Sequence, residues 1–378
     1  MVMKKRVSFS LGICLFLVAL SAQAQGYYFN LSPLASFGGG DGWLAPGEGG
    51  YSYLTTGNTE RGLAYGNGHL YLVSRAGGNN VRILNPLTGG DLGGLNMTGV
   101  SGGTYAINNA AVGSDGVIYV NNLTIQSTSS PLKVYSWLNE AAAPSVAYSG
   151  DGGLAGSRLG DNLAAIGGGS STRLALGYNS NPSVAGNNGY AIVDPTASTA
   201  TAVGFAGTPP NAGDFRLGIS FVDSSHVIGT AGSSLYRYTS FSGASGNLLA
   251  SPLIPDPAGA TADRLLSYTV LAGYPLLAVQ SIGDSHVSVY DASDPSNPVW
   301  LASGNNTVSP AANGNGTGQL TWGDPTYDSG SERWSVSLYA MSSNQGIQAF
   351  VVTIPEPGLF TLAALGLAAL AFWRKSCR

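Results

Sequence analysis

Lysine and cysteine are almost missing from the body of this 378-residue chain. Between Gln25 and Thr353 there is one lysine, Lys133, and no cysteine; Cys14 and Cys377 sit in or beside the hydrophobic ends. With no disulfide available, stability has to come from the size of the core. Cations of any kind are scarce in the same stretch, ten basic residues against nineteen acids. A body so poor in positive charge has little with which to neutralise phosphates, which argues against nucleic acid as a partner. Long runs with helical apolar periodicity are absent from Tyr51 to Thr353. Glycine, by contrast, is abundant, with 55 residues. In helix interiors each would cost about 1 kcal/mol relative to alanine. In short strands joined by tight turns the same residue supplies the positive φ that turns require.

Strand-like runs recur through this body between clusters of Gly, Asn, Asp and Ser. One set is strongly apolar: His69–Val73, Val117–Val120, Arg173–Leu176, His226–Gly229, Pro275–Val279 and Trp334–Leu338. A second set follows in step: Val81–Leu84, Leu132–Tyr135, Tyr190–Val193, Leu235–Tyr238, Val287–Tyr290 and Ile347–Val351. Several of the second set end in an Asx residue near proline, as in Asn85-Pro86 and Asp194-Pro195, a turn-initiating pair. The period of about 50 residues matches radial arrays of small sheets, in which each sheet buries its faces only against its neighbours. The expected fold is all-β: one β-propeller over residues 51–353, six blades preferred and seven the alternative, with a β-sandwich pair or β-helix as the rival. Outer strands are suggested at Ser145–Tyr148 and Val299–Leu301, and the run Tyr51–Thr55 is expected to pair with the last unit and close the ring. Residues 25–50, with Gly38–Gly42, read as a loose Gly-rich leader.

Catalytic constellations are not legible. Gly99-Val100-Ser101-Gly102-Gly103 fits G-x-S-x-G, but the nucleophile elbow needs a strand before it and a helix after it, and neither context is visible. The histidines, His69, His226 and His286, show no paired zinc spacing. His69 and His226 would lie on opposed blades, which disfavours a shared metal. Acidic turns are the one place where Ca²⁺ could find hard oxygen ligands: Asp291 with Asp294, and Asp324 with Asp328 and Glu332. None matches a calcium loop, and aspartate forms turns for its own reasons. No cofactor is expected. The aromatics, 19 Tyr among them, suit packing between blades, with a sugar-stacking platform as the sharper alternative.

Both ends read as addresses. Lys4, Lys5 and Arg6 precede the apolar run Leu11–Leu20, and Ala22-Gln23-Ala24 offers small residues at the two positions a signal peptidase requires. Residues 1–24 are therefore expected to be a signal peptide handled by the Sec machinery. At the other end Pro355-Glu356-Pro357 precedes a 16-residue apolar segment, Gly358–Trp373, and the basic cluster Arg374, Lys375 and Arg378. The prolines resist helix continuation, and the basic cluster would stay cytoplasmic behind a transmembrane helix. This three-part tail, residues 354–378, resembles the PEP-CTERM sorting signal. Ile354 stands where that signal usually has Val. The resemblance implies handling by an exosortase-like membrane peptidase and an association with exopolysaccharide production. The same tail module also carries the label of ice-binding protein C-terminal domain, which speaks of the tail alone.

Taken together, these features point to an exported surface or matrix-associated binding or structural protein, its ligand open and an extracellular polysaccharide the candidate. The alternative is a propeller enzyme such as a lactonase, glycosidase or polysaccharide lyase working in the central channel.

Overall fold

A computed structural model describes residues 29–179, 187–232, 234–254, 263–331 and 333–355. Among them there is no α-helix, only three short 3-10 turns; the rest is strand and loop. The chain begins with β1 (Asn30–Pro33) and β2 (Trp43–Leu44) and then runs through a series of antiparallel meanders. The first holds β3 (Glu60–Gly66), β4 (His69–Ser74), β5 (Asn80–Leu84) and β6 (Asp91–Gly94). The second holds β7 (Tyr105–Val112), β8 (Ile118–Leu123), β9 (Leu132–Trp137) and β10 (Ser145–Gly150). Next come β11 (Ala164–Ile166), β12 (Arg173–Gly177), β13 (Tyr190–Asp194) and β14 (Thr199–Phe205), then β15 (Ile219–Asp223), β16 (His226–Thr230), β17 (Tyr236–Ser242) and β18 (Ser245–Ala250). These two meanders form one eight-stranded sheet, because Gly204 and Phe205 pair in parallel with Ser245 and Gly246. A further four-stranded meander comprises β19 (Asp263–Leu271), β20 (Tyr274–Ser281), β21 (Val287–Asp291) and β22 (Val299–Gly304). The last sheet has β23 (Gly318–Trp322), β24 (Thr326–Asp328), β25 (Arg333–Ser342) and β26 (Gly346–Pro355), joined by β1 and β2.

The arrangement is propeller-like. First strands β3, β7, β11, β15, β19 and β23 pack against one another in that order, and β23 returns to β3. Side-chain clusters follow the same cycle. Leu70 and Leu72 of β4 face β25 and β26, whereas Tyr71 and Val73 face the β7–β9 strands. A second strand is thus buried on both faces, which is why these segments read as near-continuous apolar runs rather than alternating ones. Full burial of each such side chain is worth about 1.5–3 kcal/mol. The runs named from sequence as second and third strands fall within, or within a residue of, the observed ones.

Closure differs from expectation. Tyr51–Thr55 forms turns, with Tyr53 and Leu54 buried in the cluster beside β4 and β26. The strand that completes the last sheet is β1, paired with β26 from Asn30↔Thr353 to Pro33↔Phe350. It lies inside the stretch read as a loose leader. Trp43 and Leu44 pair with the earlier part of the same strand, and the Trp43 indole N–H donates to the Gln345 carbonyl at 2.7 Å. An N-terminal segment therefore seals a sheet made from the C-terminal end.

First strands crowd near the axis. At Gly62 on β3 an added Cβ would lie 2.5 Å from the Asn109 Cα on β7, so a side chain there would push the two strands apart. Gly160 combines a φ of +96° with the Asn122 carbonyl oxygen 2.1 Å from where a Cβ would stand. Only glycine meets both demands. Its own carbonyl accepts amide N–H bonds from Asn108, Asn109 and Asn121.

Candidate functional site

Meander geometry puts the start of each first strand, the end of the second and the start of the third at one end of the ring. Six of the ten basic residues of the body gather there: Arg61, Arg75, Arg158, Arg216, Arg237 and Arg264. Arg61 and Arg75 line a pocket of about 620 Å³ together with Asn58, Thr59, Tyr105 and Asn315. The Arg75 guanidinium lies 3.5 Å from the Tyr105 ring centroid, and Arg61 stands 5.8 Å from the same ring. Arg61 is only 7 % exposed. Its Nη1 donates to Thr317 Oγ1 at 2.6 Å, while its buried Nε has no partner. Arg75 Nη2 donates to the Asn58 carbonyl at 2.8 Å, and its buried Nη1 likewise has none.

Charge here is under-compensated. Asp161, its side chain 2 % exposed, takes both Arg158 (2.7 Å) and Arg216 (3.5 Å). Glu60 is buried and uses Oε1 to accept from the Thr55 N–H and the Thr59 hydroxyl; its Oε2 has no partner. Four guanidiniums thus face two carboxylates. Burial pushes the Arg61 pKa below its ordinary value, with Asp161 opposing the shift, and burial followed by the neighbouring Arg61 does the same to Arg75. Arg158 moves upward through its hydrogen bond to Asp161. Beside them Arg237 and Asp214 form a separate buried pair at 2.9 Å.

Gln319 closes the middle of the channel. Its amide donates to the carbonyls of Ala110 (2.7 Å) and Leu163 (2.8 Å), and its oxygen accepts from the Leu63 N–H (3.0 Å). One side chain on β23 so ties β3, β7 and the segment entering β11 across the axis. Beyond it, toward the other end, lies a cavity of about 350 Å³ lined by residues such as Ala64, Val112, Ile166, Val222 and Val270. Its lining includes no Asp, Glu, His, Arg or Lys.

The residues singled out from sequence are not brought together. His69 Nδ1 lies 2.7 Å from Glu140, and His226 Nδ1 lies 2.8 Å from Asp223 in a different hairpin. His286 sits in the turn between β20 and β21. Asp291 accepts from Ser293, and Asp294 from the Ser296 N–H. Asp324 accepts from the Tyr65 hydroxyl and Asp328 from Gly330. Among the described residues no three His, Cys, Asp or Glu side chains are grouped to hold a metal ion. Ser101 lies in a loop pinned by Tyr135, whose hydroxyl donates to the Ser101 carbonyl at 2.5 Å, with no helix following. Pro355 ends β26; Ala22, Ala24, Glu356, Pro357, Arg374, Lys375 and Arg378 lie outside the described residues. No helix among the described residues is long and apolar enough to cross a membrane, and Gly358–Trp373 lies outside them.

Sequence reading missed the arginine end, although a signal was present. Arg61 and Arg264 stand at the start of a first strand, Arg216 just before one, and Arg158 in the bridge that leads toward β11, so basic residues recur near the start of several units.

Residues 47–215 are similar to DUF4623, a domain of unknown function, and residues 353–375 match the PEP-CTERM protein-sorting motif. That motif implies export, surface sorting and processing by an exosortase-like system. The crystal structure of a DUF4623 family protein from Bacteroides eggerthii is 18 % identical, with a TM-score of 0.55 over 79 % of this chain and 71 % of that one. The fold is shared. The Malassezia sympodialis allergen Mala s 1 is 12 % identical with a TM-score of 0.47, covering 77 % of this chain and 91 % of that one. An α-L-arabinofuranosidase from Fusarium graminearum is 9 % identical with a TM-score of 0.49, covering 79 % of this chain and 94 % of that one. No curated protein matches the sequence.

Proposed function

We propose that this is an exported surface protein, built as a six-bladed β-propeller, that binds an extracellular polymer through the arginine end of its ring. In this reading signal peptidase cuts after Ala24, and an exosortase-like peptidase acts at Pro355-Glu356-Pro357. The apolar segment Gly358–Trp373 holds the tail in the membrane, with Arg374, Lys375 and Arg378 on the cytoplasmic side. The count of six blades treats the two halves of the eight-stranded sheet as separate meanders, each four strands long.

The observation that carries the binding role is Arg61: a buried guanidinium with an unpartnered N–H in the wall of an open pocket. A buried polar group left unpaired costs about 1–3 kcal/mol, more when charged, and a ligand acceptor would recover it. The enzyme alternative draws less support. Neither pocket lining contributes a carboxylate or histidine, so a glycosidase pair has no place in either. The full chain, purified in detergent, should be retained by the extracellular polymer of its own organism and released as salt rises. A chain that passes through at low salt would sink the reading.

A further inference from the structure

Building on the reading of the arginine end as the binding face, we infer that the pocket between Arg61 and Arg75 recognises a carboxylate carried on a hydroxyl-rich ligand, a uronic-acid residue of a polysaccharide. Two guanidinium N–H groups, Arg61 Nε and Arg75 Nη1, are buried there without acceptors. Arginine presents its donors in a plane, which suits two coplanar oxygens.

The Tyr105 ring decides between anion shapes. Arg75 is stacked 3.5 Å from its centroid, so atoms placed out of the guanidinium plane on that side meet the negatively polarised face of the ring. A carboxylate lies in the plane and avoids it. Sulfate or phosphate esters are tetrahedral and carry oxygens out of it. The rim then supplies partners for hydroxyls: the Asn79 and Asn315 amides and the Thr59 and Thr104 hydroxyls. A volume of about 620 Å³ is in the range of small-ligand sites and exceeds what a bare ion needs.

The test titrates the full chain in detergent with trigalacturonate, with its carboxyl-reduced counterpart, and with a sulfated neutral trisaccharide. Trigalacturonate should bind about tenfold or more tightly than either, the worth of one well-formed charge-assisted pair. Arg75→Gln should erase that preference while the unfolding midpoint stays near that of the parent chain. Arg75 is the variant of choice because Arg61 is more deeply buried. Equal binding of the reduced or the sulfated sugar overturns the carboxylate inference. It leaves the arginine end as a saccharide site if Arg75→Gln weakens every ligand alike. Retention on the native polymer with no binding of trigalacturonate also overturns the inference alone. Loss of both retention and all three titrations overturns the binding face with it.

Discussion

The two ends of the ring are made by the same strands and hold different chemistry. At one end, Arg61 and Arg264 on strand starts, with Arg158 and Arg216 in the segments leading to them, gather around polar, half-satisfied groups. At the other, the hairpins carry Asp115, Asp223 and Asp324 around a cavity whose lining mixes apolar side chains with uncharged polar ones such as Tyr65, Ser220 and Thr321. Midway, where first strands crowd, Gly62 lies against Asn109, and buried amides tie neighbouring units together, Gln319 to Ala110 and Leu163 and Asn162 to the Leu217 carbonyl. The difference teaches that a propeller-like ring can place charge near its axis only where strands begin or end, and that each end can then specialise by itself.

The largest test falls on the arginine end. Asp161→Asn leaves two guanidiniums without their shared carboxylate and should cost about 3 kcal/mol in urea unfolding. The same change adds positive charge at the pocket and should tighten uronate binding; weaker binding would show that Asp161 organises the site rather than balancing it. Gln319→Leu removes the tie between the ends. It strands the Ala110 and Leu163 carbonyls and the Leu63 N–H, for an expected loss of about 2 kcal/mol. An unchanged unfolding midpoint would mean that water takes over these groups and that the ends were never sealed from each other.

At the opposite end the expected effects are smaller. Burial first, and then the hydrogen bond to Asp324, pushes the Tyr65 hydroxyl up to about 12. Since an ordinary tyrosine ionises near 10, the unfolded chain loses its proton first, and stability falls as pH rises from about 10 to about 12. Tyr65→Phe should cost about 1 kcal/mol at neutral pH and make that alkaline decline shallower; an identical slope in the two proteins would exclude the assignment. Asp223→Asn comes last. Burial raises this carboxyl, but hydrogen bonds from Ser225 and His226 outweigh it and hold the group below the usual carboxylate range. Its contribution is present above the ordinary value near 3.9 and disappears as pH falls through the lowered one. Half-exposed, the pair is worth under about 1 kcal/mol, readable as a small change in the acid limb of a pH–stability profile.

Second and third strands were legible because burial on both faces writes them as apolar runs, as in Leu70–Val73 and Leu276–Val279. First strands were not. β3 and β7 read Glu60–Gly66 and Tyr105–Val112, rich in Gly, Ala and Asn, because space near the axis selects small residues over apolar ones. The candidate site sits on those strands and so stayed hidden with them. β1 escaped for another reason: an outermost strand of four residues ending in proline has neither alternation nor β-branched side chains to mark it. The turn Tyr51–Thr55 drew attention instead through aromatics that serve packing.

Strand β26 is held on both sides, by β25 and by β1, almost to its last residue, and Pro355 pairs with Arg333 at the start of β25. The polypeptide is therefore held to the wheel as far as Pro355, at the end opposite the arginine pocket. Were the tail to tether the wheel as proposed above, the arginine pocket would face away from the tether, so that the direction in which the exit strand runs sets which face meets the outside world.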